Sequence, residues 1–287
     1  MPPNTACTLI LLHGLGSQAE DWSHDFRGAF TKALGADALR VNVVDAYWGP
    51  LSTRDHLLHP RVALDASPNA RLGVADEAYN RAIVEFTLAL GREAGVQPAP
   101  QPGGRTFGPG DVFDAIRGKL PGGTELLVDV GNYVGRNGVR TAVQQVVHHK
   151  LAEAHRAAPG VPIVLATHSQ GTIISYDVLR QAGGSYPQLR TWITQGSPLG
   201  KYLTLFQWGA ERLGIPTTLR WLNLWDAEDL VGKALDPLVL WQDRGWDDLR
   251  PLDVQVDNVR RAHDAHDHWH NPEVVAHIKE EVSRFLA

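Results

Sequence analysis

One cysteine, Cys7, and one methionine, Met1, supply all the sulfur in this 287-residue chain. An internal disulfide is therefore excluded, which fits a reducing compartment. Basic excess is missing too. Lys and Arg number 27 against 32 Asp and Glu, for a net charge of −5, and no Lys/Arg cluster follows a phosphate backbone, so no nucleic acid is expected as partner. No apolar run approaches the ~18 residues that a membrane span requires. The first apolar stretch, Thr8–Leu12, is too short for a secretory leader and has no basic residues before it. The expectations are no integral membrane span and a cytoplasmic location. What is present is ordinary for a globular chain: 43% hydrophobic and 21% charged residues, enough for one large domain or a domain with an insertion.

Apolar β-rich runs alternate with helical patterns. Thr8–Leu12, Leu39–Asp45, Ile163–Ala166, Leu189–Thr194 and Leu219–Leu224 read as strands, and Leu252–Val256 as a short last one. Leu126–Val130 reads as a strand or a helix edge. Val74–Leu90 and Val139–Ala158 are helical, the latter with Val143, Val146, Val147, Leu151 and Ala154 on one face. Thr172–Gln181 is another helix, and the last begins near Pro272 with proline in its first turn. This alternation predicts an α/β fold: a mostly parallel central sheet with helices on both faces. The chain reads as a single domain, 1–287, with a cap insertion at 51–125 that includes the Pro/Gly-rich stretch Gly95–Gly110. A lid-like segment is expected at 198–218, rich in large apolar side chains.

The most specific motif is Thr167-His168-Ser169-Gln170-Gly171, placed between a strand and a helix. A serine at such a bend is lifted clear of its own backbone, and the following helix aims amide N–H groups at whatever it attacks. Thr167 stands where the G-x-S-x-G pattern has its first glycine, so a tighter turn is expected beneath a β-branched residue. A serine before a helix is also a common N-cap. Gly171 favours the nucleophile, because close strand–helix packing there leaves no room for a side chain.

Serine hydroxyl needs a base, and the base an orienting acid. One established chain order is serine, acid, histidine. Asp229 follows the strand Leu219–Leu224 and is the favoured acid, with Asp226 as the alternative. His263, His266, His268 and His270 crowd together before the last helix. His266 is the chosen base, with His268 and His263 behind it. An oxyanion needs two N–H donors. Gln170, after the nucleophile, supplies one, and Leu15 in His13-Gly14-Leu15-Gly16 the other. No metal and no cofactor is called for by this chemistry.

Together LLHGLG, ATHSQGT, TQGSPLG, LNLWDAEDLV and HDHWHNPEVV resemble the α/β-hydrolase superfamily, in particular its bacterial esterase and lipase-like members. The resemblance spans residues 8–280. It implies the α/β-hydrolase fold, with Ser169 as nucleophile, Asp229 in an Asp-x-Val setting as acid and His266 as base. The expected function is a serine hydrolase that cleaves a carboxylic ester of a small molecule or lipid through an acyl-enzyme. Trp208, Trp221, Trp225 and Trp241 suggest an apolar pocket. Two other readings stand beside it. One is a metal-dependent hydrolase built on the His/Asp cluster 263–270, although its spacing matches neither H-x-H-x-D-H nor H-E-x-x-H. The other is a non-catalytic binding member of the fold. No oligomeric state follows from the pattern.

Overall fold

The computed structural model describes residues 4–16, 18–53, 64, 74–96, 107–120, 122–182, 185–206, 219–235, 251–258 and 262–287. In chain order the elements are β1 (Cys7–Leu12), α1 (His24–Leu34), β2 (Val41–Ala46), α2 (Gly49–Thr53), α3 (Val74–Glu93), α4 (Pro109–Ile116), α5 (Gly123–Gly135), α6 (Asn137–Ala157), β3 (Ile163–His168), α7 (Gln170–Gln181), β4 (Leu189–Gln195), α8 (Leu199–Phe206), β5 (Arg220–Trp225), β6 (Leu252–Gln255), α9 (Ala265–His270) and α10 (Pro272–Ser283). They fall into two compact units: residues 1–14, 18–47 and 144–287 form the first, and residues 15–17 and 48–143 the second.

The first unit is an α/β body. Its six strands are all parallel, in the order β2-β1-β3-β4-β5-β6. Every residue of β1 and β3 is buried, whereas edge strands β2 and β6 are half-exposed. Parallel strands buried on both faces read as continuous apolar runs, which is why the central ones stand out in the sequence. One face carries Leu9, Leu11, Val164, Ala166, Ile193 and Leu222 against Phe26 and Phe30 of α1, Trp269 of α9 and Val274, Ile278 and Val282 of α10. The other face holds a stack. Trp192 and Trp221 lie 4.5 Å apart and nearly parallel, and Tyr176 of α7 stacks on Trp192. Each indole N–H is satisfied: Trp192 donates to Ser175 Oγ and Trp221 to Thr194 Oγ1, both at 3.1 Å.

Trp221 is thus core. Trp208 and Trp241 lie outside the described residues, as do 207–218 of the expected lid. Within 198–206 the chain forms α8. Asn271 caps α10, accepting from Glu273 N–H at 2.9 Å, and Pro272 follows as the sequence predicts.

The second unit is helical in its described residues. Close approach of α3 and α5 is set by Gly131 and Gly135: a Cβ on the first would lie 2.6 Å from the Tyr79 ring, and on the second 2.5 Å from Tyr79 N. Leu126–Val130 is interior to α5, not a strand. Arg136 covers the Tyr79 ring at 4.9 Å, a cation–π contact. The expected insertion 51–125 falls inside this unit, whose limits are wider. Its stretches 54–63, 65–73 and 97–106 lie outside the described residues. Among the described residues no helix is long and apolar enough to cross a membrane.

Candidate active site

Ser169 sits between β3 and α7 with φ 50° and ψ −123°. It is the one non-glycine residue with positive φ among those described. Such a conformation costs about 1–3 kcal/mol and persists only where the surroundings impose it. Here they do. Ser169 N–H donates to Gln195 O at 2.9 Å, while its own carbonyl accepts from Thr172 N–H at 2.9 Å and Thr172 Oγ1 at 2.7 Å. Two glycines make the room. A Cβ on Gly14 would lie 2.7 Å from Ser169 Cβ, and one on Gly171 2.5 Å from His13 O and 3.0 Å from Leu12 O. The strand–helix crowding expected at Gly171 is present. Thr167 is accommodated in the core, its hydroxyl donating to Ile193 O at 3.0 Å.

Ser169 Oγ lies 2.8 Å from His263 Nε2, and His263 Nδ1 lies 2.8 Å from Asp229 Oδ2. Asp229 is fully buried, and its other oxygen accepts from Val231 N–H at 2.7 Å. Burial alone would push this carboxyl up. The His263 ring, its hydrogen bond, His268 and the Val231 N–H outweigh that and leave it below the usual range. The backbone around the acid is equally crowded. Gly196 has φ 52°, and a Cβ there would sit 3.0 Å from His268 Nε2, 3.2 Å from Asp229 Oδ2 and 3.3 Å from His263 Nδ1.

His266, the base chosen from sequence, is not at Ser169. It lies inside α9, its side chain 65% exposed, and its ring stacks on His270 at 3.8 Å. The physical reason is the helix start. Asp264 caps α9 by accepting His266 N–H at 2.8 Å, so His263 remains in the preceding turn. Within the helix, His268 and Trp269 face inward, while His266 and His270, four apart, share the outer side. The pattern was readable in principle: Asp264 is a competent N-cap, and Trp269 marks the buried face.

Asp226, the alternative acid, ties loops instead. It accepts from Glu228 N–H and from Asn258 N–H, each at 2.8 Å. Asn271 Nδ2 in turn donates to Asn258 Oδ1 at 2.9 Å. These bonds join the turns after β5 and β6 to the segment bearing His263. No residue type in that set announces this role from sequence.

Gln170 opens α7, so its N–H has no partner within the helix. Its side-chain oxygen accepts from Tyr202 OH at 2.6 Å. Leu15 belongs to the second unit; there Gly16 N–H donates to Asp129 Oδ2 at 2.7 Å. Its oxyanion role rests on the sequence pattern.

Three imidazoles, His168, His263 and His268, gather behind the serine with donor nitrogens within 4.8 Å of one another. A metal there would need His263, whose two nitrogens already face Ser169 and Asp229. His268 Nε2–H donates to Ala262 O at 3.0 Å, and burial pulls this ring down to about 4. His168 is buried with neither nitrogen hydrogen-bonded. Its pKa is held well below the usual imidazole value, first by burial and then by His268, His263 and His13. It is therefore a neutral ring at ordinary pH. The cluster 263–270 does not converge on one centre: it divides into an inward and an outward pair.

No family model and no curated protein matches the chain.

Proposed function

We propose that the protein has the α/β-hydrolase fold and is a serine hydrolase acting on a carboxylic ester, with Ser169 as nucleophile, His263 as base and Asp229 as acid. The observation that carries this is the run of two 2.8 Å contacts, Ser169 Oγ to His263 Nε2 and His263 Nδ1 to Asp229 Oδ2, at a serine held in positive φ. The strand order adds support. Serine, acid and histidine follow β3, β5 and β6 in turn, at the carboxyl ends of parallel strands, where open α/β sheets place their sites.

Asp229 accepts the Nδ1–H of His263, which leaves a lone pair on Nε2 facing the serine hydroxyl. Ser169 Oγ attacks the ester carbonyl as its proton passes to Nε2. The negative charge that forms on the carbonyl oxygen is held by Gln170 N–H. The imidazolium, stabilised by the buried carboxylate, gives its proton to the departing alcohol, leaving an acyl-Ser169. Water then loses a proton to His263, attacks the acyl carbon and releases the acid, and the proton returns to Ser169.

A fluorophosphonate probe tests the reading. It should label Ser169, and both label and ester turnover should vanish in Ser169→Ala and His263→Ala while persisting in His266→Ala. Turnover retained by a folded Ser169→Ala variant would overturn it. Initial rates across aryl esters of increasing acyl length would then define the substrate.

A further inference from the structure

The outward histidines form a second constellation that ester hydrolysis does not use. On α9, His266 and His270 stand one turn apart with rings stacked at 3.8 Å and inclined by 18°. Asp25 of α1 brings a carboxylate to the same spot, its Oδ2 3.4 Å from His270 Nε2. One donor atom from each of the three lies within 4.8 Å of the others.

Two details distinguish this from chance proximity on a surface. His270 Nδ1–H donates to the His266 carbonyl at 2.6 Å. In the neutral ring that bond places the proton on Nδ1 and the lone pair on Nε2, the way metal-bound histidines are usually oriented by a backbone carbonyl. The Nε2 atom itself is buried and has no hydrogen-bond partner. A cation placed between that nitrogen and the Asp25 carboxylate would be held by both. The framework is also firm. Trp269 of α9 is buried between Trp22 and Phe26, at ring distances of 5.2 and 5.1 Å, so α1 and α9 are held together beneath the cluster.

We propose that Asp25, His266 and His270 bind one divalent transition-metal ion of the zinc type, clipping α9 to α1. Two imidazoles and a carboxylate suit zinc. Bonds near 2.0–2.2 Å place ligand atoms about 3.3 Å apart in a tetrahedron, so closure asks only small rotations. Asp25 and His266, both about two-thirds exposed, are free to make them. The metal takes no part in the hydrolytic step. It secures the segment whose preceding turn carries His263.

Zinc sulfate titrated calorimetrically into the chelator-treated, dialysed full-length chain should show one ion bound per chain, and the ion should raise the melting temperature. His266→Ala and His270→Ala should each weaken binding about tenfold or more and abolish the thermal shift, and Asp25→Asn should weaken it less. His263→Ala should bind zinc as well as the parent. Zinc binding that is absent, or unaffected by His266→Ala and His270→Ala, overturns the proposal. So does binding lost in His263→Ala, which would place the ion among the buried imidazoles. None of these outcomes depends on Ser169 being a nucleophile.

Discussion

Within eight residues the chain presents two pairs of histidines that meet opposite fates. His263 and His268 are buried against Asp229, the first between a carboxylate and a serine hydroxyl, the second donating to a carbonyl. His266 and His270 stack on each other toward solvent, beside Asp25. The residue type is the same in all four. What differs is the position of a helix start: one residue before the Asp264 cap, a side chain stays in the turn and reaches the sheet edge, and two residues after it the side chain belongs to the helix's outer face. The helix start thus sets which way each histidine faces, and long-range contacts set what it meets.

The sharpest break of this comparison is to delete one imidazole from each pair. His263→Ala should lower kcat for an activated ester by about 10⁴-fold or more, whereas His266→Ala should stay within about twofold in metal-free buffer. A reversal of that ranking would hand the base back to His266. The two acids offer a parallel contrast. Asp229→Asn should lose about 10⁴-fold by favouring the wrong tautomer of His263. Asp226→Asn should instead cost about 1–3 kcal/mol in denaturant unfolding through its two backbone bonds, since it touches neither Ser169 nor His263.

The inner region also depends on missing side chains. Gly171→Ala forces a methyl to 2.5 Å from the His13 carbonyl and should cost about 1–3 kcal/mol, read by chemical denaturation. The same change at Gly28, where nothing lies within 4 Å, makes a control on α1.

Acid should separate the regions as well. His168 is buried as a neutral ring with its pKa depressed below 6.5. Below that value the unfolded chain takes up a proton that the folded chain refuses, so stability falls as pH drops, by about 1.4 kcal/mol per pH unit from this group. His168→Leu should flatten the profile by that slope. The smallest effect is expected from His270→Ala in metal-free buffer, where a ring stack on exposed His266, one bond to the His266 carbonyl and a 3.4 Å approach to Asp25 are lost.

Much of the α/β body was legible. The central strands announced themselves because both of their faces are buried, and the expected strand Leu39–Asp45 began late only because Gly35–Arg40 forms a 3₁₀ turn ahead of β2. Helix α1 was overlooked although Phe26, Phe30 and Leu34 recur at four-residue spacing on its buried side. The bend at Ser169 was legible from its neighbours, as was the place of Asp229 in the turn after β5. The choice among histidines was not found, because it turned on where a six-residue helix began.

The amino-acid order alone determined the alternation of strands and helices, the bend at Ser169 and the succession of serine, acid and histidine, since these depend on hydrophobic period, glycine and local turn chemistry. Only the tertiary structure decided that His263 meets Ser169, that Asp226 joins loops, that Trp221 fills a core stack and that His266 finds Asp25. Those outcomes depend on atoms far apart in the chain being brought within a few ångströms, from 2.8 Å at Ser169 to 4.5 Å between the stacked indoles, and no local pattern encodes a distance of that kind.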